Sequence, residues 1–448
     1  MALSLLAIPA RLPAQDLTPG RVIEKIPCKA DATQSYALYL PSNYATARTW
    51  PVLYCFDPRA RGARAIECFR VGAEKFGYLV VGLNNSRNGP WEENKSAIEA
   101  VLRDTHARLA VNRARLYTAG LSGGARVAVR LAMAGLAPGA IVCSGGFPTE
   151  DTPAKMNFIF FGTTGVDDCN YDEMRRIDDD LDKQGAIHRV AIFAGGHEWL
   201  PQTLGTQAIE WLEIQGMRTG LRQRDAAIID SAFQSRLAAL PGTAPEKWLE
   251  TKSLAADFKG LCDTSALEKS AAELGASREL AEWRKLERKA EKTTALQVNQ
   301  LVEAAAEGFA DGMRRSVDTW RKQATESEDS LKRRVSRRTI QGAAIAFEQT
   351  ARAHFSENQF AISATYYEAI LMLQPERIGF YYDVARARIL DGDKKAALAA
   401  LKKGADSGSK DFARIENEKD FKPLQNDAAY LEIISAMKKN ALRTETSD

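Results

Sequence analysis

Three residues at fixed spacing, Gly120, Ser122 and Gly124, form a Gly-x-Ser-x-Gly inside "LYTAGLSGGARVAV". A serine hydroxyl is a weak nucleophile until a neighbouring base takes its proton. Alone the motif says little, and its setting decides. Leu116 to Ala119 read as a strand and Gly124 onward as a helix, so Ser122 falls on a sharp strand–turn–helix elbow. Such a turn needs small neighbours where strand and helix close together. The helix N-terminus beyond Ser122 aims free backbone N–H groups at the same point, favouring developing negative charge.

A serine nucleophile needs a base, and the chain has only four histidines. His106 precedes the serine in a helical stretch, His188 opens a strand, and His354 lies in the helical second half. His197, in "AGGHEWLP", directly follows an apolar strand pattern, where the C-terminal edge of a parallel sheet presents its loops. The third member should be a carboxylate after a strand between the two. "NFIFFGTTGVDDCNYDEM" supplies Asp167 and Asp168, either of which could fix the imidazole tautomer. The resulting chain order is Ser, Asp, His. The loop "NNSRNGPW" ends another strand on this edge, so Asn85, Ser86 and Arg87 are candidate substrate contacts. Arg61 and Arg87 either favour an acidic substrate group or are ordinary surface charges.

The elements that must position these residues are legible as apolar runs. They begin at Tyr36, Pro51, Tyr78, Arg115, Gly139, Asn157 and His188, with helical patterns from Asn94, Gly124, Tyr171 and Thr206. Continuous apolar runs mark strands covered on both faces. Their alternation with helices predicts an α/β fold, a doubly wound, mostly parallel sheet. That domain is expected over residues 21–216. Residues 217–338 carry no strand pattern and read as a helical spacer or domain. Trp248, Trp283 and Trp320 are its expected core anchors. Between "CSGGF" and "KMNFIFF" the connection is too short for a large cap domain.

At these residues the first domain resembles the α/β-hydrolases of the esterase type: relatives of dienelactone hydrolase, feruloyl esterase and polyhydroxyalkanoate depolymerase. The resemblance rests on "GLSGGARVA", "GTTGVDDCNY" and "GGHEW". It implies a carboxylester hydrolase working through an acyl-enzyme, with no cofactor and no metal. It favours Asp168 over Asp167 as the acid, through the "DCNY" run. The His-x-Trp form implies that Trp199 lines or buttresses the site, while a plain core aromatic reads equally well. The oxyanion hole then draws on the backbone N–H of Gly123 and on the loop "DPRARGAR". Pro58 has no N–H, so Arg59 or Ala60 must donate, and Arg59 is preferred.

Residues 339–448 resemble tetratricopeptide repeats. Ser363, Tyr367, Ile370 and Pro375 fit the second helix of one unit. Ala385, Gly392, Asp393, Ala397 and Leu401 recur in order about one 34-residue period later. "FKPLQNDAAYLEIISAMK" reads as a capping helix. An all-α helical-repeat domain follows the sheet on this reading, and its groove is a candidate site for a protein partner. Two other functions therefore stay open: a binding or scaffold protein with a weakly active or inactive hydrolase domain, and a serine peptidase on the same triad.

Composition bounds the rest. The chain has 448 residues, 45% hydrophobic and 27% charged, with a formal net charge of +3. That length predicts two or three domains, and the charge balance gives no nucleic-acid footprint. No segment has the length and apolarity of a membrane span. Residues 1–20 read as a shortened signal peptide with cleavage near Ala14, so export to the periplasm or exterior is expected. In that compartment one or two pairs among Cys28, Cys55, Cys68, Cys143, Cys169 and Cys262 could be disulfides. Their spacing gives no zinc pattern.

Overall fold

A computed structural model describes residues 17–148, 153–306 and 311–445. The expected signal peptide falls almost wholly outside the described residues. The chain divides into two compact units. One comprises Met1–Val166 and Asn170–Trp283, the other Asp167–Cys169 and Arg284–Asp448.

The first unit is built on eight strands: β1 (Val22–Pro27), β2 (Ser35–Tyr39), β3 (Trp50–Phe56), β4 (Leu79–Leu83), β5 (Val111–Leu121), β6 (Gly139–Cys143), β7 (Ile159–Gly165) and β8 (His188–Phe193). Their order across the sheet is β1-β2-β4-β3-β5-β6-β7-β8. The β1–β2 and β2–β4 pairs are antiparallel, and every pair from β4 to β8 is parallel. This is a doubly wound, mostly parallel sheet, as the alternating patterns predict. β1 was not among the expected strands: "VIEKIP" is a half-exposed edge strand that lacks the continuous apolar run of the inner ones.

Among the described residues, five helices cover the sheet: α1 (Gly62–Phe76), α2 (Trp91–Arg108), α3 (Gly123–Met133), α4 (Tyr171–Gln184) and α5 (Gln202–Thr219). The period-2 alternation of strand side chains sorts them into two layers. Val52, Tyr54 and Phe56 of β3 join a core with residues of α2, α3 and α4. Leu53 and Cys55 of the same strand join a second core with α1 and α5. None of the six cysteines forms a disulfide, so the pairings that an exported chain could have made are not present. Burial pushes the Cys28 and Cys68 thiols up to about 11, in keeping with inert core positions.

The first unit does not stop at residue 216. α6 (Ala226–Ala238), α7 (Ala244–Phe258) and α8 (Ser265–Gly275) belong to it. Ile214 and Met217 at the end of α5 share a core with Ile229, Leu254, Phe258 and Leu267. Polar groups tie the same elements together. The Trp211 indole donates to Asp257 at 2.5 Å and Arg236 donates to its other oxygen at 2.5 Å. Buried Arg189 of β8 pairs with Glu250 at 3.2 Å. The expected spacer is thus split, because the apolar face of α5 extends past the last strand and recruits the helices that follow.

The second unit is helical. The boundary at Trp283 falls inside α9 (Arg278–Ala306), followed by α10 (Asp311–Glu326), α11 (Ser330–Ser356), α12 (Phe360–Leu373), α13 (Phe380–Leu390), α14 (Lys394–Asp406), α15 (Phe412–Asn417) and α16 (Ala428–Glu445). Gly392 (φ +87°) turns the chain between α13 and α14, and Asp393 caps α14 by accepting from the Ala396 N–H at 2.8 Å. Ala385 and Ala397 are fully buried where those helices pack. The expected single capping helix is a 3-10 segment, Lys419–Leu424, and then α16.

Candidate functional site

The C-terminal ends of the parallel strands share one edge of the sheet, and the expected site residues of the first unit leave from it. Ser122 stands between β5 and α3 with φ +55° and ψ −120°. A residue with a side chain is strained there, by about 1–3 kcal/mol. The surroundings hold it in place. The Ser122 N–H donates to the Cys143 carbonyl at the end of β6, at 2.8 Å. Its own carbonyl accepts from Ala125 and Arg126 at 3.0 and 3.2 Å, which starts α3. The two motif glycines are needed for contact. A Cβ on Gly120 would stand 2.1 Å from the Gly124 carbonyl oxygen, and one on Gly124 would stand 2.0 Å from that of Phe56. The sequence reading of Gly120 and Gly124 as room-making residues therefore has a direct geometric counterpart.

His197 lies in the loop between β8 and α5 and is half-buried. Two contacts fix that loop. Its Gly195 and Gly196 carbonyls lie 2.3 and 2.6 Å from where a Cβ of Gly165, the last residue of β7, would be. Two residues beyond His197, the Trp199 indole N–H donates to Asp57 Oδ2 at 2.8 Å, just past β3. β7 and β3 are three places apart, roughly 14 Å at strand spacing. Three residues of extended chain reach about 10 Å, and the indole supplies the rest. The loop thus runs from an anchor at the end of β7 to one just past β3, and His197 lies between the two.

Asp57 is the centre of this edge, and sequence reasoning passed over it. It is 1% exposed and accepts from four donors: the Trp199 indole, the Arg59 N–H at 2.8 Å, and Arg61 Nε and Nη2 at 3.0 and 2.9 Å. The signal for it was an Asp directly before Pro at a strand end, a turn-forming pair. Its bonds bear on three expectations. The Arg59 N–H is committed to Asp57 and the Ala60 N–H to the Asp57 carbonyl at 3.0 Å, so this loop does not aim the expected second donor at Ser122. Arg61 is an ion-pair partner of Asp57 rather than a cation awaiting substrate. Trp199, 5% exposed and edge-on to Phe69, buttresses the loop and does not line a surface.

The expected substrate contacts in the β4–α2 loop are likewise engaged in structure. Asn85 accepts from the Ser35 N–H at 2.8 Å and donates to the Thr33 carbonyl at 3.2 Å, pinning the β1–β2 turn. The buried Ser86 hydroxyl donates to Asn94 at 2.7 Å. Arg87 faces Glu93 at 3.4 Å in solvent. The residue of this loop that reaches the elbow is Asn88, whose side-chain oxygen stands 1.9 Å from where a Cβ of Gly123 would be.

Asp167, Asp168 and Cys169 follow β7 in the chain and belong to the second unit. There Asp167 pairs with Arg337 at 2.7 Å, and the Cys169 N–H donates to Gln341 at 3.1 Å. Asp168 is fully buried. Asp167 is thus a partly exposed ion-pair partner of α11, unlike its neighbour.

No family model matches the sequence, and no curated protein does. Solved structures resemble it in part. A fluorophosphonate-binding serine hydrolase of Staphylococcus aureus is 14% identical with a TM-score of 0.35, covering 43% of this chain and 98% of its own. An S-formylglutathione hydrolase of the same organism is 14% identical at 0.34, covering 40% and 90%. An esterase of Pyrobaculum calidifontis is 13% identical at 0.36, covering 44% and 87%.

Proposed function

We propose that this chain is a serine hydrolase that cleaves carboxylic esters. The single observation that carries the reading is the strained backbone of Ser122, which is held at the β5–α3 turn by its bonds to β6 and by glycine contacts on both sides. Strain of this kind is retained where it exposes a reactive group.

In this reading His197 Nε2 takes the Ser122 proton as Oγ bonds to the ester carbonyl carbon. The carbonyl π pair moves onto oxygen, giving a tetrahedral oxyanion that faces the Gly123 N–H at the helix N-terminus. Collapse expels the alcohol oxygen, which takes the proton from His197 and leaves an acyl-enzyme on Ser122. Water repeats the sequence, giving its proton to His197 and releasing the acid. Asp168 is the proposed third member, orienting the imidazole and stabilising the imidazolium. Its burial supports that choice over Asp167, whose carboxylate is paired with Arg337.

The test is covalent labelling. A fluorophosphonate probe should label the full-length protein once, at Ser122, and Ser122→Ala should abolish both labelling and turnover of short-chain aryl esters. Persistent labelling of that variant removes Ser122 from its role. A parallel panel of anilides separates an esterase from a peptidase.

A further inference from the structure

We infer that the side-chain amide of Asn88 supplies the second hydrogen-bond donor to the oxyanion, in place of a backbone N–H from the β3–α1 loop. The inference rests on the esterase reading above. It starts from a deficit. An oxyanion hole needs at least two donors converging on one point, and in the β3–α1 loop Pro58 has no N–H while those of Arg59 and Ala60 bond to Asp57. Gly123 therefore lacks the partner expected from Arg59 or Ala60.

Asn88 is in position to be that partner. Its backbone N–H donates to the Pro58 carbonyl at 2.9 Å, and Arg59 and Arg87 form an antiparallel bridge. The β4–α2 loop is thereby laced to the loop that lacks a donor. The lacing places the Asn88 carboxamide over Gly123, with Oδ1 1.9 Å, Cγ 2.9 Å and Nδ2 3.4 Å from where a Cβ of Gly123 would be. A side chain at 123 would have to displace that carboxamide. Asn88 is exposed, and among the described residues its carboxamide has no bonding partner. Its neighbours Asn85 and Ser86 are held by Thr33, Ser35 and Asn94. A half-turn about the last side-chain torsion exchanges Oδ1 and Nδ2, so an N–H can be turned toward Gly123. The amide donates without losing its proton, and so stabilises charge without entering the proton balance of the reaction.

The experiment compares Asn88→Ala and Asn88→Asp with the full-length wild type on an aryl acetate. Because Asn88 is exposed, both variants should keep the wild-type circular dichroism and urea midpoint. Removal of one oxyanion donor should lower kcat by about 100- to 1000-fold, with KM nearly unchanged. Asn88→Asp should fall further, since a carboxylate opposes the developing charge. Affinity for a boronic acid that forms a tetrahedral adduct should fall in step with kcat. If both variants keep kcat within threefold while Ser122→Ala is inactive, the assignment of Asn88 fails and the hydrolase reading stands. If Ser122→Ala remains active, both fail.

Discussion

The bond between Trp199 and Asp57 should act on catalysis at a distance. Trp199→Phe removes the indole N–H that donates at 2.8 Å to a buried carboxylate and keeps a ring to pack edge-on against Phe69. A hydrogen bond to a charged acceptor is worth about 1.5–3 kcal/mol. Asp57 keeps three other donors, from Arg59 and Arg61, so the carboxylate is not left bare. The cost should therefore lie near the lower end, about 1.5–2 kcal/mol. At about 1.4 kcal/mol per factor of ten, the anchored arrangement of the His197 loop weakens roughly 10- to 30-fold. The substitution should lower the urea midpoint, slow fluorophosphonate labelling and reduce kcat by about tenfold or more, with little change in KM. Asp57→Ala should be worse, because it leaves the buried indole N–H without an acceptor. Unaltered kcat and urea midpoint in Trp199→Phe would refute the view that this bond holds the loop.

Other predictions follow from single contacts. Gly124→Ala places a Cβ 2.0 Å from the backbone oxygen of Phe56; it should destabilise the sheet unit by at least about 1–3 kcal/mol, and a wild-type urea midpoint would contradict the packing. His188 is a pH probe outside the catalytic edge. Burial pulls its pKa down, but the bonds to Asp178 (3.3 Å) and the Ala186 carbonyl (3.0 Å) and the charges of Asp178 and Asp182 outweigh this and raise it. A group whose folded pKa lies above the unfolded value contributes its full stability below the unfolded pKa, near 6.5, and loses it as pH rises through the folded value. His188→Gln should thus destabilise more at pH 5.5 than at pH 9, and a pH-independent difference in urea midpoint would count against the imidazolium.

The nucleophile motif and the apolar strand runs were legible because they are local. A continuous apolar stretch can only be a covered strand or buried helix, and Gly-x-Ser-x-Gly places its own glycines beside its own serine. Scarcity singled out His197 as the proposed base, since so few histidines compete. The β3–α1 loop was misread for the opposite reason. Arg59 follows a proline and looks free to donate, yet its N–H is drawn to a carboxylate two residues back, and nothing in "DPRAR" says which acceptor wins. The domain boundary was equally unreadable, because α6 to α8 have the composition of any amphipathic helix, and only their packing on the end of α5 shows where their apolar faces go.

By itself the sequence determined the inner strands and most of the helices between them, the elbow at Ser122 and the sheet edge from which His197 departs. These follow from periodicity, glycine spacing and chain connectivity. The tertiary structure decided that Asp57 binds Trp199, that Arg59 and Ala60 donate elsewhere, and that Asn88 rather than Asn85 or Ser86 stands over Gly123. The first and last of these join loops from different strands, and the partners of such a loop are set by how the strands beneath it are ordered.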